Sequence, residues 1–171
     1  MTEKKKEDSS AKNDLIFLLT KISILAILLA VTFLFVFGIC RCSGDMMSPA
    51  FKDGDLAVYC RLQKNYHPRD VVVIEKNGKT RICRIVAVPG NQVDITEEGL
   101  KINGYLQQEN EIFRETYPFE GGISFPITLK EEEYFVLGDN RTKAEDSRIF
   151  GSVSEEEIKG SIMTLIRRRG L

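Results

Sequence analysis

The sequence has no tryptophan, one histidine (His67), four cysteines and five prolines in 171 residues. A lone histidine and scattered cysteines give no grouping with metal-ligand spacing, so a zinc site is excluded, and no cofactor is expected. Four cysteines are also too few to frame a disulfide-built miniprotein. An excess of one charge is missing as well: 24 Lys plus Arg stand against 25 Asp plus Glu, a net charge of −1. No strand or helix carries the dense basic face that phosphate backbones require, which excludes nucleic acid as a partner. What remains, 43% hydrophobic and 29% charged residues, suits one compact domain.

The hydrophobic residues are unevenly distributed. From Ile22 to Cys40 run 19 consecutive uncharged residues rich in Leu, Ile, Phe, Val and Ala. At about 1.5 Å per residue the run covers roughly 28 Å, close to the hydrocarbon thickness of a bilayer, and Leu15 to Leu19 extend it if Lys21 snorkels to the headgroups. Lys4, Lys5, Lys6 and Lys12 precede it, whereas Arg41 and Lys52 are the only basic residues soon after it. The positive-inside bias predicts a single-pass protein of the cell membrane, N-terminus cytoplasmic and C-terminal domain extracellular, with membrane lipid as one partner. A cleaved leader fits poorly, because no small-x-small pattern precedes Arg41. The predicted organisation is a disordered cytoplasmic tail over residues 1–14, an anchor over 15–41 and an ectodomain over 42–171. That ectodomain holds 18 basic against 21 acidic residues.

Beyond the anchor, short apolar runs alternate with turn residues: Asp55 to Arg61, Val71 to Glu75, Arg81 to Val88, Gln92 to Ile95, Leu100 to Ile102 and Tyr134 to Leu137. β-branched residues dominate several of them, so the ectodomain is predicted to be mainly β. Asp53-Gly54, Asn77-Gly78 and Asn103-Gly104 accept positive φ at hairpin corners and predict consecutive antiparallel pairing. Residues 92–133 read as a small insertion: a meander through Glu97-Glu98-Gly99 and Asn103-Gly104, then an excursion with Gly121-Gly122 and prolines. Ser154 followed three residues later by Glu157 forms a possible capping box opening a short helical turn, and no long ectodomain helix is predicted.

Three ordered segments are more specific. They are Gly44-Asp45-Met46-Met47-Ser48-Pro49 with Gly54-Asp55, then Arg84-Ile85-Val86-Ala87-Val88-Pro89-Gly90, then Gly138-Asp139-Asn140-Arg141 through Asp146-Ser147-Arg148 to Phe150-Gly151. Standing behind a single anchor, they resemble the type I signal peptidases, membrane-anchored serine proteases of the S26 family, from the anchor to Gly160. The resemblance implies the S26 β-fold and a catalytic domain at the outer leaflet that takes a signal-peptide segment as an added strand and cuts after small residues. It also implies a serine nucleophile in Gly-x-Ser-Met-x-Pro and a neutral lysine base just before the arginine of the second segment, its pKa depressed by a dry site.

Laid on this chain, the nucleophile position is Met46, the base position is Cys83, and Ala144 stands where a serine hydrogen-bonds the lysine in the family. The catalytic unit is therefore degenerate at all three positions. With no amine at 83, a hydroxyl at 144 would be a buried polar group without its partner, which makes alanine the less costly occupant. The groove positions carried over are Gly44, Asp45, Met47, Ser48, Pro49, Ile82 and Arg84. Asp139, Asn140, Arg141, Asp146, Ser147 and Arg148 keep the charges that tie loops together in the family, with buried ion pairing as their expected use. Ala87, Asn91 and Ala50 depart from a family glycine, aspartate and threonine.

Substitute chemistry has few candidates. Ser48 lies two residues past Met46, about 6–7 Å along an extended strand, where misplacement by about 1 Å already costs much. Lys79 and Lys143 are the nearest lysines, and Arg81 shares a strand face with Cys83 but keeps its proton. Cys83 reads as an apolar filler, His67 as a surface turn residue, and Met46-Met47 alternatively as apolar surface facing lipid. A Cys60–Cys83 disulfide and pairing of Cys40 and Cys42 between chains stay open. Arg167-Arg168-Arg169 reads as a solvated end, with acidic headgroups as the alternative.

Two functions follow. The first is a non-catalytic signal-peptidase-like protein that binds or positions secreted segments. Gram-positive relatives lacking the dyad are tied to pilus assembly, which implies pilin-like segments, and a sortase, as partners. The second is an active type I signal peptidase with an unassigned nucleophile. Autocleaving regulators that share the protease fold fit poorly, since they need a cytoplasmic DNA-binding module.

Overall fold

The computed structural model describes residues 2–109, 112 and 115–167. Two compact units divide at Phe37. The first contains helix α1, Thr2–Val36. Its segment Asn13–Val36 has 24 residues and a mean hydropathy of 2.5, long and apolar enough to cross a membrane. Its large apolar side chains, from Leu15 to Phe35, are exposed. A helical segment of this length whose large apolar side chains are exposed is suited to lipid.

Two boundaries differ from the sequence expectation. The predicted tail over residues 1–14 is helical from Thr2, consistent with the good helix formers Glu3 to Glu7 and Ala11-Lys12 leading into the apolar run. The anchor predicted over 15–41 ends as helix at Val36, because Phe37–Arg41 is a strand, β1. Gly38 permits this: a Cβ there would lie 2.2 Å from the Tyr59 ring, so only glycine lets β1 settle over that tyrosine.

The second unit contains two antiparallel sheets. The larger runs in the order β1-β2-β11-β3-β4-β9-β10, with β2 Leu56–Cys60, β3 Val71–Lys76, β4 Lys79–Ala87, β9 Glu133–Leu137, β10 Val153–Ser154 and β11 Ile158–Ile166. The smaller runs β7-β6-β5-β8, from β5 Gln92–Thr96, β6 Gly99–Ile102, β7 Tyr105–Leu106 and β8 Ile127–Thr128. The mainly β expectation holds, and the Asn-Gly corners lie where predicted: Asn77-Gly78 joins β3 to β4 and Asn103-Gly104 joins β6 to β7, all four residues at positive φ. The insertion is more organised than a meander followed by an excursion. Its strands share a core of Val93, Ile95 and Leu100 with Phe135 and Leu137 of β9. Residues 110, 111, 113 and 114 of it lie outside those described, as do Arg168 and Arg169 of the basic end.

Strand β11, unpredicted, lies between β2 and β3. Gly160 interrupts its apolar pattern, and a Cβ there would come within 2.0 Å of the Cys60 carbonyl oxygen, so the residue that hides the strand from sequence reading is the one that permits its bulge. The 3₁₀ turn Glu155–Glu157 follows Ser154, whose backbone N–H donates to the Glu157 carboxylate at 2.9 Å, as the Ser-x-x-Glu spacing predicts. The one other helix described in this unit is α2, Ser147–Phe150.

Candidate functional site

The segment after β1 is a compact turn. Gly44 sits at φ +72 with its N–H on the Asp53 carboxylate at 2.8 Å, Ser48 N–H donates to the Asp45 carbonyl at 3.0 Å, and Phe51 N–H to the Met47 carbonyl at 2.9 Å. The extended strand assumed for Ser48 is absent: residues 45–50 curl, so a fixed offset along a strand does not describe the relation of Ser48 to Met46. Two contacts tie this turn to the segment after β9. Asn140 N–H donates to the Met46 carbonyl at 2.9 Å, and Asp139 N–H to the Met47 sulfur at 3.4 Å.

Two of the three positions expected to carry catalysis, 46 and 144, meet at Gly138. A Cβ at Gly138 would lie 2.3 Å from the Ala144 Cβ and 2.7 Å from the Met46 carbonyl oxygen. Arg84 on β4 is level with Leu137 on β9, and the pairing of the two strands ends there, one residue before Cys83. Gly138 thus brings the Met46 backbone and the Ala144 methyl together, while Cys83 lies in the core on β4, and the three side chains are a thioether, a thiol and a methyl group. Cys83 is 2% exposed, packed with Val72, Ile85 and Val136. Burial pushes its thiol far above the ordinary range and nearby Asp146 adds to this, outweighing the opposing pull of Arg81. It is a core filler, with no thiolate to offer.

The candidate replacement bases are engaged or distant in the fold. Lys143 is exposed and pairs with Asp45 at 3.3 Å. Lys79 pairs with Glu145 at 3.6 Å, and Arg81 holds the same carboxylate at 2.8 Å. His67 is exposed at a turn, 3.9 Å from the Asp70 carboxylate. All four cysteines are free. Cys60 is level with Ser161, Ser161 with Val72, and Val72 with Cys83, so Cys60 and Cys83 stand three strand spacings apart, about 14 Å, and the disulfide left open by the sequence is ruled out.

The signature residues form a buried polar network. Asp139 accepts two hydrogen bonds from Arg84, Nε to Oδ1 at 2.7 Å and Nη2 to Oδ2 at 2.6 Å. Asp146, fully buried, caps α2 through the Arg148 N–H, accepts the Gly138 N–H at 3.1 Å, and pairs with the Arg148 guanidinium at 2.9 Å. Arg148 in turn donates to the Arg141 carbonyl at 2.7 Å, and Arg141 donates to the Gly138 carbonyl, to Thr116 and to both oxygens of Glu109. Ser147 Oγ accepts the Val136 N–H, and the Asn140 side chain accepts from Thr142. Asn91 keeps its turn closed by accepting the Val88 N–H at 3.1 Å, an acceptor role that an aspartate oxygen could also fill. Ala87 is fully buried, and Ala50 packs half-buried beside Met47 and Phe51.

A groove of about 500 Å³ runs between the segment Cys40–Gly44 and the start of β4, Lys79–Ile82. Of the groove positions expected from sequence, Gly44, Met47 and Ile82 line it, together with Met46. Asp45, Ser48, Pro49 and Arg84 do not: Asp45 turns to Lys143, Ser48 and Pro49 lie on the turn, and Arg84 is drawn away by Asp139. Sequence reading missed Arg41, Thr80, Phe51 and Glu145, which do line it. Alternation along the two strands adjoining Gly44 and Ile82 was the available signal for Thr80, whereas Phe51 and Glu145 arrive from turns that carry no periodicity. On β4 the ladder to β3 runs from Lys79 to Arg84, but the ladder to β9 begins only at Arg84, leaving the Lys79–Cys83 stretch unpaired toward β9.

Residues 15–166 match the model of the family described as signal peptidase, peptidase S26. The chain is 30% identical over 174 residues to a signal peptidase I of Bacillus licheniformis, covering 94% of this chain and 92% of that one. It is 27% identical over 169 residues to the signal peptidase IB of Staphylococcus aureus, covering 88% of each. The crystal structure of a signal peptidase I from Enterococcus faecalis V583 aligns with a TM-score of 0.48 and 27% identity, over 58% of this chain and 97% of that one. By the extent of the family match and of the Bacillus relative, this chain belongs to the signal peptidase, peptidase S26 family.

Proposed function

We propose that this S26-family protein receives an extended segment of a secreted protein and holds it without cutting it. The observation that carries this reading is the side chains at positions 46, 83 and 144. Amide hydrolysis needs a nucleophile and a group to accept its proton, and Met46, Cys83 and Ala144 offer neither. The groove and its unpaired β4 edge remain, and backbone N–H and C=O groups on such an edge bind an extended segment whatever the fate of catalysis. In this reading α1 anchors the chain with the β domain outside, and the occupant is a secreted or pilin-like segment presented during surface assembly, with a sortase as a further partner.

The second reading, an active type I signal peptidase, draws support from the relatives, which bear the name signal peptidase I. It requires a nucleophile and base from outside the inherited positions. The two readings separate in a capture experiment with full-length protein in lipid nanodiscs, a photo-crosslinking side chain at position 82 and a secreted precursor that retains its signal peptide. The non-cutting reading predicts a crosslinked adduct containing the intact precursor. An adduct of cleaved product, or no adduct, would count against it.

A further inference from the structure

The groove is cationic in a protein that is not. Its lining holds three cationic side chains, Arg41, Lys79 and Arg81, and one anionic, Glu145, whereas the whole chain carries a net charge of −1. The single carboxylate is shared: Arg81 Nη2 holds it at 2.8 Å and Lys79 Nζ approaches at 3.6 Å. Those two cations pull the Glu145 carboxyl below its ordinary range, the Arg81 hydrogen bond most of all. Arg81 is fixed in place, 7% exposed, its guanidinium 5.4 Å from the Phe150 ring and donating to the Lys76 carbonyl at 3.1 Å. Arg41, at the end of β1, is exposed and has no ion-pair partner among the described residues. Of the acids on the adjoining turn, Asp45 pairs with Lys143, Asp53 accepts the Gly44 N–H and Asp55 accepts the Lys52 N–H, and none of them lines the groove.

Taking the peptide-receiving groove as the starting point, we propose that it selects an extended segment bearing an aspartate or glutamate side chain, which Arg41 of β1 and Lys79 and Arg81 of β4 recognise. Burying main-chain groups against an edge supplies affinity for any sequence; a surplus of cations beside that edge supplies discrimination between sequences. Glu145 acts as the internal competitor for the same cations. A segment with a carboxylate relieves the surplus, a neutral one leaves it, and one with a lysine adds to it.

The test is selection from a displayed library of random extended octapeptides on full-length protein in nanodiscs of neutral phosphatidylcholine. Asp plus Glu should be enriched over Asn plus Gln at one position by about three- to fivefold, the size of one partly exposed ion pair. The enrichment should fall in 0.5 M salt, disappear in Arg41→Gln/Lys79→Gln, and rise in Glu145→Gln. Both substituted cations are exposed, and circular dichroism confirms that the variants fold. Binders with no acidic preference would overturn charge selection while leaving the groove reading intact, and failure to recover any binder would overturn both. Loss of the acidic preference in nanodiscs containing phosphatidylglycerol would assign these cations to lipid headgroups and overturn the proposal.

Discussion

Arg84 and Asp139 join in a two-pronged ion pair that ties β4 to the segment after β9, with Asp139 3% exposed and both contacts under 2.8 Å. The same aspartate gives its backbone N–H to Met47, so the pair also locates the turn that carries Met46. A structural role of this kind gives these signature residues a use that does not depend on catalysis.

Removing either member breaks a buried, two-pronged ion pair between β4 and the segment after β9, the costly case for buried ions. Asp139→Asn and Arg84→Gln should each lower unfolding stability by about 3 kcal/mol, measured by urea titration of the full chain followed by near-ultraviolet circular dichroism. Losses below about 1 kcal/mol would show that the pair is solvated and contributes little.

Gly138→Ala addresses the close approach of the Met46 turn and Ala144 to Gly138. The added methyl would stand 2.3 Å from the Ala144 methyl and 2.7 Å from the Met46 carbonyl oxygen, the second being backbone that cannot rotate away. A loss of about 2–3 kcal/mol is expected, with partial recovery in Gly138→Ala/Ala144→Gly, which removes one clash of the two.

Much of this arrangement is legible in the sequence because it rests on local chemistry. The apolar run, the Asn-Gly corners and the Ser154-to-Glu157 spacing each act within a few residues and reappear in place. Strand β11 is hidden by Gly160, whose value lies in a 2.0 Å approach to Cys60, a residue 100 positions away in the chain. The partner of Asp139 is likewise 55 residues distant, and nothing in Gly138-Asp139-Asn140-Arg141 states that Arg84 is chosen over the adjacent Arg141. For the site, motif spacing points to Gly44, Met47 and Ile82, which do line the groove, whereas the exclusion of Ser48, Pro49 and Arg84 from it depends on how a turn curls and where an ion pair pulls.

Thiol labelling distinguishes a filler from a hidden nucleophile at 83. Burial holds the Cys83 thiol protonated, and the side chain is covered by Val72, Ile85 and Val136. Iodoacetamide applied to the native protein at pH 8.5 should leave Cys83 unmodified while partly exposed Cys60 reacts, with both modified in urea. Rapid native modification of Cys83 would indicate an accessible thiolate.

The Lys76–Glu157 pair gives a pH signature. Burial pushes the Glu157 carboxyl up, but the Lys76 hydrogen bond at 2.9 Å and the Ser154 N–H outweigh it and leave the group below its ordinary value. A carboxyl lowered in the folded state contributes stability that is present above its unfolded value, about 4.3, and is lost as pH falls through the folded value. Glu157→Gln should therefore lower Tm at pH 7, with the difference from the unmodified protein shrinking below about pH 4. A constant difference across pH 3–7 would assign the effect to packing.

The most direct measurement is turnover by the unmodified full-length protein in nanodiscs, read by mass spectrometry on a signal-peptide-bearing precursor between pH 6 and 10, beside Ser48→Ala. With a thioether at 46, a buried thiol at 83 and a methyl at 144, no cleaved product should accumulate above the protein-free control at any pH. Product that forms with the unmodified chain and vanishes with Ser48→Ala would contradict the account.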